Sequence, residues 1–471
     1  MQELTRQSAV TVVEALRVGK VSPLECLDAL EARIRAVDTQ VNALPTLCFD
    51  RAREHARRLM RRPPADRGLL AGLPVPIKDL ADVQGVRSTQ GSPIFADRIA
   101  ETSDVLVTHV EGNGGVVYGM TNTPEFGAGA NTFNEVFGRT LNPWNTARSA
   151  AGSSGGAAVA LATGMAWVAH GSDMGGSLRN PASFCGVVGF RPSPGRVAAT
   201  PGASIGNLLS VDGPLGRTVA DTALLFDAMA GEEWVDPLSM PKGTASYLAA
   251  ARSGKRPRRV AVSRDLGITP VEPEVADAVM RAARALESHG VIVEEAHPDF
   301  SEAHACFQTL RAVSFATWGR ILMAEHRDKL KPEVIWNIEK GLNLTGEEIV
   351  KAEAQRAEMF RRTLAFFETY DLLLCPATIT AAFPVEQRYL AQCNGHTFET
   401  YIDWLAIVYA ITLVACPAIS IPCGFTREDL PIGLQVVAPP HGDARLLAGA
   451  QFIEDVLGLG AITPIDPRPA R

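Results

Sequence analysis

Two short stretches concentrate the residue types from which acyl or phosphoryl chemistry is built. One is Gly152-Ser153-Ser154-Gly155-Gly156; the other runs Gly171-Ser172-Asp173-Met174-Gly175-Gly176-Ser177-Leu178-Arg179-Asn180-Pro181-Ala182. Glycine lets backbone approach a ligand closely and lets successive N–H groups point the same way. A nest of that kind suits a phosphate or the oxyanion of an acyl-transfer intermediate. The phosphate-loop pattern GxxxxGK[ST] does not occur in the chain, which disfavours the first option. A glycine-rich turn between close-packed elements would give the same texture with no chemistry at all.

Two hydrolase readings compete for these serines. Gly152 to Gly156 matches GxSxG, the nucleophile elbow of α/β-hydrolases, with Ser154 as nucleophile. That fold needs a later carboxylate and a histidine, and His396 and His441 are available downstream without any distinctive context. Five positions, three of them glycine or serine, form a weak pattern in a glycine-rich chain.

The second reading uses both serines and a lysine, and here the sequence resembles the amidase signature family of Ser–Ser–Lys hydrolases. That family shows GSSGG followed by G-[ST]-D-x-G-G-S-[IL]-R-x-P-[AS]. Both motifs are present, and Ser153 and Ser177 are separated by 24 residues, as in the family. Upstream, Gly72-Leu-Pro-Val-Pro-Ile-Lys78-Asp79 is similar to the family's lysine-bearing strand. Thr121-Asn-Thr-Pro-Glu-Phe126, Asn142-Pro-Trp144 and Cys416-Pro-Ala-Ile-Ser420 also match, so the resemblance spans roughly residues 5 to 460. Departures are small: Ala151 stands at a frequent glycine, and Phe190-Arg191 at a more usual Leu-Lys.

The resemblance implies a role for each matched residue. Ser177 would attack the amide carbonyl and form an acyl-enzyme. A serine hydroxyl is a poor nucleophile, so a base must take its proton. Ser153, on a cis peptide bond in this family, would relay that proton to Lys78. Lys78 can serve as terminal base only if burial keeps it neutral for part of the cycle. The N–H groups of Met174, Gly175, Gly176 and Ser177 would form the oxyanion hole. Ser154, Asp173 and Arg179 would hold these loops in place. No metal or organic cofactor is implied: the chain has no HExxH and no clustered Cys/His set.

In the family the segment after Asn122-Thr-Pro124 lines the acyl side of the pocket, which nominates Phe126 and Gly127 beside Ser153. A plain core role for Phe126 is equally compatible with the sequence. The region around Trp318 and the run Tyr401 to Tyr409 would cover the other side. The reaction expected is hydrolysis of a small carboxylic amide to acid plus ammonia or amine. The alternative is an amidase or glutaminase subunit that delivers ammonia to a partner amidotransferase. Such subunits carry a YGR segment after K-P-[TS], whereas this chain reads Pro192-Ser-Pro194-Gly-Arg-Val197, so a stand-alone amidase is favoured.

These residues need a scaffold that brings positions 78, 153 and 177 together. Ser22-Pro23-Leu24-Glu25 is a helix start, and Leu27, Leu30 and Ile34 then share one face. Arg51 to Arg62 reads as a solvated basic helix. From about Leu69 to Met229, short apolar runs alternate with glycine-rich turns, which favours an α/β sheet. Strand candidates continue at Leu73–Ile77, Gly114–Gly119, Arg259–Val262, Val291–Val293, Asp371–Pro376, Ala418–Pro422 and Leu434–Ala438. A helix is expected over Glu272 to His289, helices dominate Ala303 to Phe367, and a last helix covers Ala444 to Leu457.

The expected fold is therefore α/β: an amidase-signature-like central mixed twisted sheet, covered by helices on both faces, with a mostly helical insertion. It would be one intertwined domain over 1–471: N-terminal helices (1–64), catalytic core (65–231), helical insertion (232–370) and a C-terminal return to the core (371–471).

Composition agrees with a globular chain. Its 471 residues are 46% hydrophobic and 21% charged, with a net charge of −7, which argues against disorder and against a nucleic-acid-binding face. Eight cysteines without a CxxC indicate neither a disulfide framework nor a zinc ribbon. The uncharged stretches Trp404–Phe425 and Ala150–Ser172 contain prolines or glycines and are not expected to span a membrane. The expectation is a reduced, cytoplasmic protein acting on a small-molecule amide, with no nucleic-acid or membrane partner and a homodimer left open.

Overall fold

The computed structural model describes residues 2–202, 205–243 and 245–470. Its centre is an eight-stranded sheet. The strand order is Ile292–Glu295, Arg259–Val262, Leu372–Pro376, Pro431–Val437, Ala418–Phe425, Val188–Arg191, Val211–Gly216, Val168–Asp173. The first three strands pair in parallel and the remaining neighbours antiparallel, so the sheet is mixed. Leu372–Pro376 and Pro431–Val437 are buried along their whole length, which is why they read as continuous apolar runs and not as alternation.

The lysine-bearing segment forms a strand, Pro74–Lys78, but it does not join this sheet. It is the edge of a separate three-stranded sheet, ordered Pro74–Lys78, Val116–Thr121, Thr46–Leu47 from that edge. Pro74 and Pro76 have no N–H to donate to a second neighbour, which confines the strand to an edge. It runs parallel to Val116–Thr121 with Lys78 opposite Thr121. Its free side faces the end strand of the large sheet, where the Lys78 N–H donates to His170 Nδ1 at 3.2 Å.

Helices flank the large sheet. Pro23–Val37 opens with the expected capping box between Ser22 and Glu25, an arrangement typically worth about 1 kcal/mol. The basic helix lies at Phe49–Met60, two residues earlier than its charge pattern suggests. The two uncharged stretches break into a buried helix and a strand each: Ala406–Leu413 with Ala418–Phe425, and Gly155–Ala162 with Val168–Asp173. Among the described residues no helix is long and apolar enough to cross a membrane. Gly156 lets the helix Gly155–Ala162 press on its neighbour, since a Cβ there would lie 2.4 Å from the Asn122 amide nitrogen.

Segment 232–370 is helical over Pro273–Ala285, Ala303–His326, Pro332–Leu342 and Gly346–Phe367, and it also supplies the two outermost parallel strands of the large sheet. Its helical part reaches the site through a second hydrophobic cluster. Phe315, Leu330, Val334 and Ile338 pack on Ala128, with Phe126, Met174 and Trp318 at the margin.

Candidate active site

Three pieces of backbone meet at Lys78. They are the end of the strand Pro74–Lys78, the loop before the helix Gly155–Ala162, and the end of the strand Val168–Asp173. The Lys78 ammonium donates to Ser153 Oγ at 2.7 Å, Ser154 Oγ at 3.0 Å and Ser172 Oγ at 3.0 Å. These are neutral hydroxyls, and the side chain is fully buried. Burial pushes the ammonium down to about 7, against the pull of Asp212 and then Asp173. A lysine so placed exchanges its proton near neutral pH, and its neighbours are hydroxyls able to pass one on.

The Gly152–Ser153 peptide is cis. The next residue ties this loop to the second motif, because the Ser154 N–H donates to the Ser177 carbonyl at 3.2 Å. Ser153 and Ser177 line one cavity of about 390 Å³, together with Gly127, Ser172, Met174 and Gly175. Among the described residues no hydrogen bond joins the two serine hydroxyls or otherwise engages Ser177 Oγ.

Asp173 holds the turn between Ser172 and Ser177. Its carboxylate accepts from Arg179 Nη2 at 2.8 Å, Arg179 Nε at 3.0 Å, the Gly176 N–H at 3.0 Å and the Leu178 N–H at 3.1 Å. Arg191 Nη1 donates to the Asp173 carbonyl at 2.5 Å. Burial alone would raise the carboxyl, but Arg179 and Arg191 hold it well below the ordinary carboxylate range. Arg179 is anchored in turn by the Val408 carbonyl, Gln435 Oε1 and Thr412 Oγ1.

The four N–H groups expected at an oxyanion hole differ in their partners. The Gly176 N–H is turned inward and donates to Asp173 Oδ1 at 3.0 Å. The N–H groups of Met174, Gly175 and Ser177 have no acceptor among the described residues.

Phe126 and Gly127 form a tight turn with positive φ of 51° and 67°. A Cβ on Gly127 would lie 2.9 Å from Leu80 Cδ1 and 3.3 Å from Ser153 Oγ, so glycine permits this close approach. Phe126 is half-buried. It lines the cavity and packs on Trp318 at 4.9 Å between ring centroids, so it serves pocket wall and packing at once. Trp318 also lines the cavity, as do Ile402 and Leu405 of the 401–409 run.

Ser154 does not sit as a nucleophile elbow requires. It is fully buried and spans Lys78 Nζ and the backbone of Ser172. His396 and His441 are exposed and neither bonds to it. No group of three or more His, Cys, Asp or Glu is placed to hold a metal among the described residues.

Three further residues, which the motifs leave without a role, complete the surroundings of Lys78. Ser172 supplies the third hydroxyl to it. His170, fully buried, accepts the Lys78 N–H at Nδ1 and bonds Asp212 Oδ1 through Nε2 at 3.0 Å, which places its proton on Nε2. Asp212 faces Ser172 across the antiparallel pair. Positions 170 and 172 lie on one face of a strand, so their convergence is readable once 168–173 is taken as extended.

The chain has relatives among known proteins. The family model described as Amidase matches residues 25–447. An acylamidase from Rhodococcus erythropolis is 35% identical over 460 residues, covering 97% of this chain and 96% of the relative. One of the subunits of a glutamyl-tRNA(Gln) amidotransferase from Moorella thermoacetica is 33% identical over 478 residues, covering 96% of this chain and 97% of the relative. Among solved structures, a bacterial aryl acylamidase of the amidase signature enzymes superposes with a TM-score of 0.89 at 28% identity, covering 98% of this chain and 99% of that one.

Proposed function

The chain belongs to the amidase signature family, and from that premise we propose that it hydrolyses small carboxylic amides through an acyl-enzyme on Ser177. It is an amidase, a hydrolase acting on the carbon–nitrogen bonds of amides, and we read linear amides as its substrates. The observation that carries the residue assignment is a buried Lys78 2.7 Å from Ser153 Oγ, with Ser153 and Ser177 on one cavity wall.

In this reading substrate enters with its carbonyl over Ser177. Neutral Lys78 draws the Ser153 proton as Ser153 takes that of Ser177, and Ser177 Oγ adds to the carbonyl carbon. The Ser153–Ser177 contact forms when substrate orders the hydroxyls, since such bonds are often absent in a free enzyme. The N–H groups of Met174, Gly175 and Ser177 are available to the oxyanion, and one such donor can be worth about 3–4 kcal/mol of barrier. Lys78, now an ammonium, returns the proton through Ser153 to the leaving nitrogen, which would otherwise depart as a very unstable amide anion. Water then attacks the acyl-enzyme with the same relay as base and releases the acid. Ser154, Ser172 and His170 fix the Lys78 side chain and backbone, and the Asp173–Arg179–Arg191 knot fixes the donor turn.

The reading extends to a cytoplasmic protein, supported by eight free cysteines, and to a reaction that needs no cofactor. The ammonia-donating alternative draws on the likeness to the amidotransferase component, but that likeness is lower in identity than the acylamidase's. The purified chain assayed alone on aliphatic, aromatic and amino-acid amides separates the two. Multiple turnovers on a simple amide are expected, and turnover only of glutamine, only with a partner enzyme added, would favour the alternative.

A further inference from the structure

The cavity that holds Ser153 and Ser177 has one cationic wall residue among its described residues, Arg311 on the helix Ala303–His326. Arg311 is 5% exposed. Its guanidinium lies 4.3 Å from the Phe315 ring centroid and 5.4 Å from that of Tyr401. It donates to Tyr401 Oη at 2.7 Å and to Asn337 Oδ1. Asn337 is held in turn by the Glu333 carbonyl and Tyr401 Oη, so the fork is fixed in orientation.

Every one of these partners is neutral, and no carboxylate lies within ion-pair distance of Arg311 among the described residues. The acids that share the cavity are already engaged. Asp212 bonds His170 Nε2 at 3.0 Å, and Asp236 accepts the N–H groups of Ala199 and Leu238, each at 2.9 Å. A buried guanidinium is costly to keep without a counter-charge, and it presents five N–H donors of which two are used here. Of the other deeply buried arginines, Arg179 and Arg191 both meet Asp173, and Arg217 donates to the Thr5 and Gln7 carbonyls away from the cavity. Arg311 is the one of these four that lines the cavity, where a ligand can supply the counter-charge.

We propose that Arg311 is a specificity determinant that pairs with a carboxylate on the substrate, remote from the scissile amide, so that the preferred substrates are amides bearing a free carboxylate. This rests on the amide-hydrolase reading above. An arginine fork matches a carboxylate in two parallel hydrogen bonds, and the aromatic rings and the burial around it strengthen the pair. The carboxylate can sit on the acyl side, as in a dicarboxylic acid monoamide, or on the leaving side, as in an N-acyl amino acid.

The test compares kcat/KM within matched pairs. One arm uses succinamate, glutaramate and adipamate, each against the amide in which isopropyl replaces the carboxylate. The other uses N-acetylglycine and N-acetyl-β-alanine against the corresponding neutral N-alkyl acetamides. The wild-type ratio is expected to favour the anion by about tenfold or more in one arm, the usual reach of a charge-assisted hydrogen bond, and the arm identifies the side. In Arg311→Met that ratio should fall to about one, and Arg311→Lys should keep part of it. The ratio is read within each protein, so a general loss of activity does not imitate the result. Should Arg311→Met fail to fold, inhibition of wild-type turnover decides: pentanoate should compete with a neutral amide far better than 2-hexanone does. Neutral amides preferred in both arms, a ratio unchanged in Arg311→Met, or equal inhibition by the two probes would overturn the inference alone. No hydrolysis of any amide would overturn the amidase reading beneath it.

Discussion

Lys78→Ala removes the group at the end of the proposed proton relay, and its consequences can be worked out from the burial of that group. At pH 7 an ordinary lysine with a value of 10.5 is neutral in only about one molecule in three thousand. Burial brings Lys78 to about 7, so about half the molecules carry a free base at that pH. The enclosing fold thus raises the working form by roughly three orders of magnitude, and alanine forfeits all of it. We expect kcat to fall by about two to four orders of magnitude, with KM changed much less, because the lysine acts in proton transfer and not in substrate binding. Lys78→Arg should fail as well, since a guanidinium holds its proton at any working pH. The wild-type rate should rise with pH through about 7 and level off above it, and that limb should vanish in Lys78→Ala. Stability carries the same signature. The folded value lies below the unfolded one, so the unfolded chain binds more protons between about 7 and 10.5. Wild type should therefore gain stability relative to Lys78→Ala as pH rises through that window. Stopped assays from about pH 5.5 to 9.5, with chemical denaturation at about pH 7 and 10, read both effects. A folded Lys78→Ala with wild-type turnover, or a wild-type rate that is flat with pH, would refute the reasoning.

Other substitutions probe the walls of the site. Gly127→Ala forces a Cβ against Leu80 and Ser153 at a φ of +67°, so kcat/KM should drop by about tenfold to a hundredfold while the melting temperature shifts modestly. Asp173→Asn leaves two buried guanidiniums without their counter-charge, and denaturant titration should show a loss of about 3–5 kcal/mol. An unchanged stability there would mean that the knot does not hold the donor turn.

The parts of this site that the sequence reveals are those that are local. Ser153, Ser177 and their glycines sit within two motifs, so type and spacing suffice, and the strand ending at Lys78 is marked by its prolines. The sheet that strand joins is a matter of long-range pairing, and it belongs to the small sheet for want of N–H donors at Pro74 and Pro76. Asp212 reaches the site only through the register of Val168–Asp173 with Val211–Gly216, which no local pattern encodes. The inward Gly176 N–H depends on where Asp173 points, and Asp173 is aimed by arginines 6 and 18 positions away. Arg311 lies on a helix without a motif and becomes meaningful only once the cavity is formed. The fold class and five of the eight large-sheet strands, Arg259–Val262 and the one near Val291–Val293 included, are legible because apolar runs and turn residues record burial directly, whereas Val168–Asp173, Val188–Arg191 and Val211–Gly216 carry glycines and polar residues that interrupt such runs.

The central claim is that Ser177 is the nucleophile, served by Ser153 and Lys78. A serine-reactive fluorophosphonate, followed by mass spectrometry of the digested protein, tests it most directly. The account predicts loss of activity in step with a single adduct on Ser177, and strongly slowed labelling in Lys78→Ala. An adduct on Ser154, or inactivation with Ser177 unmodified, would contradict it.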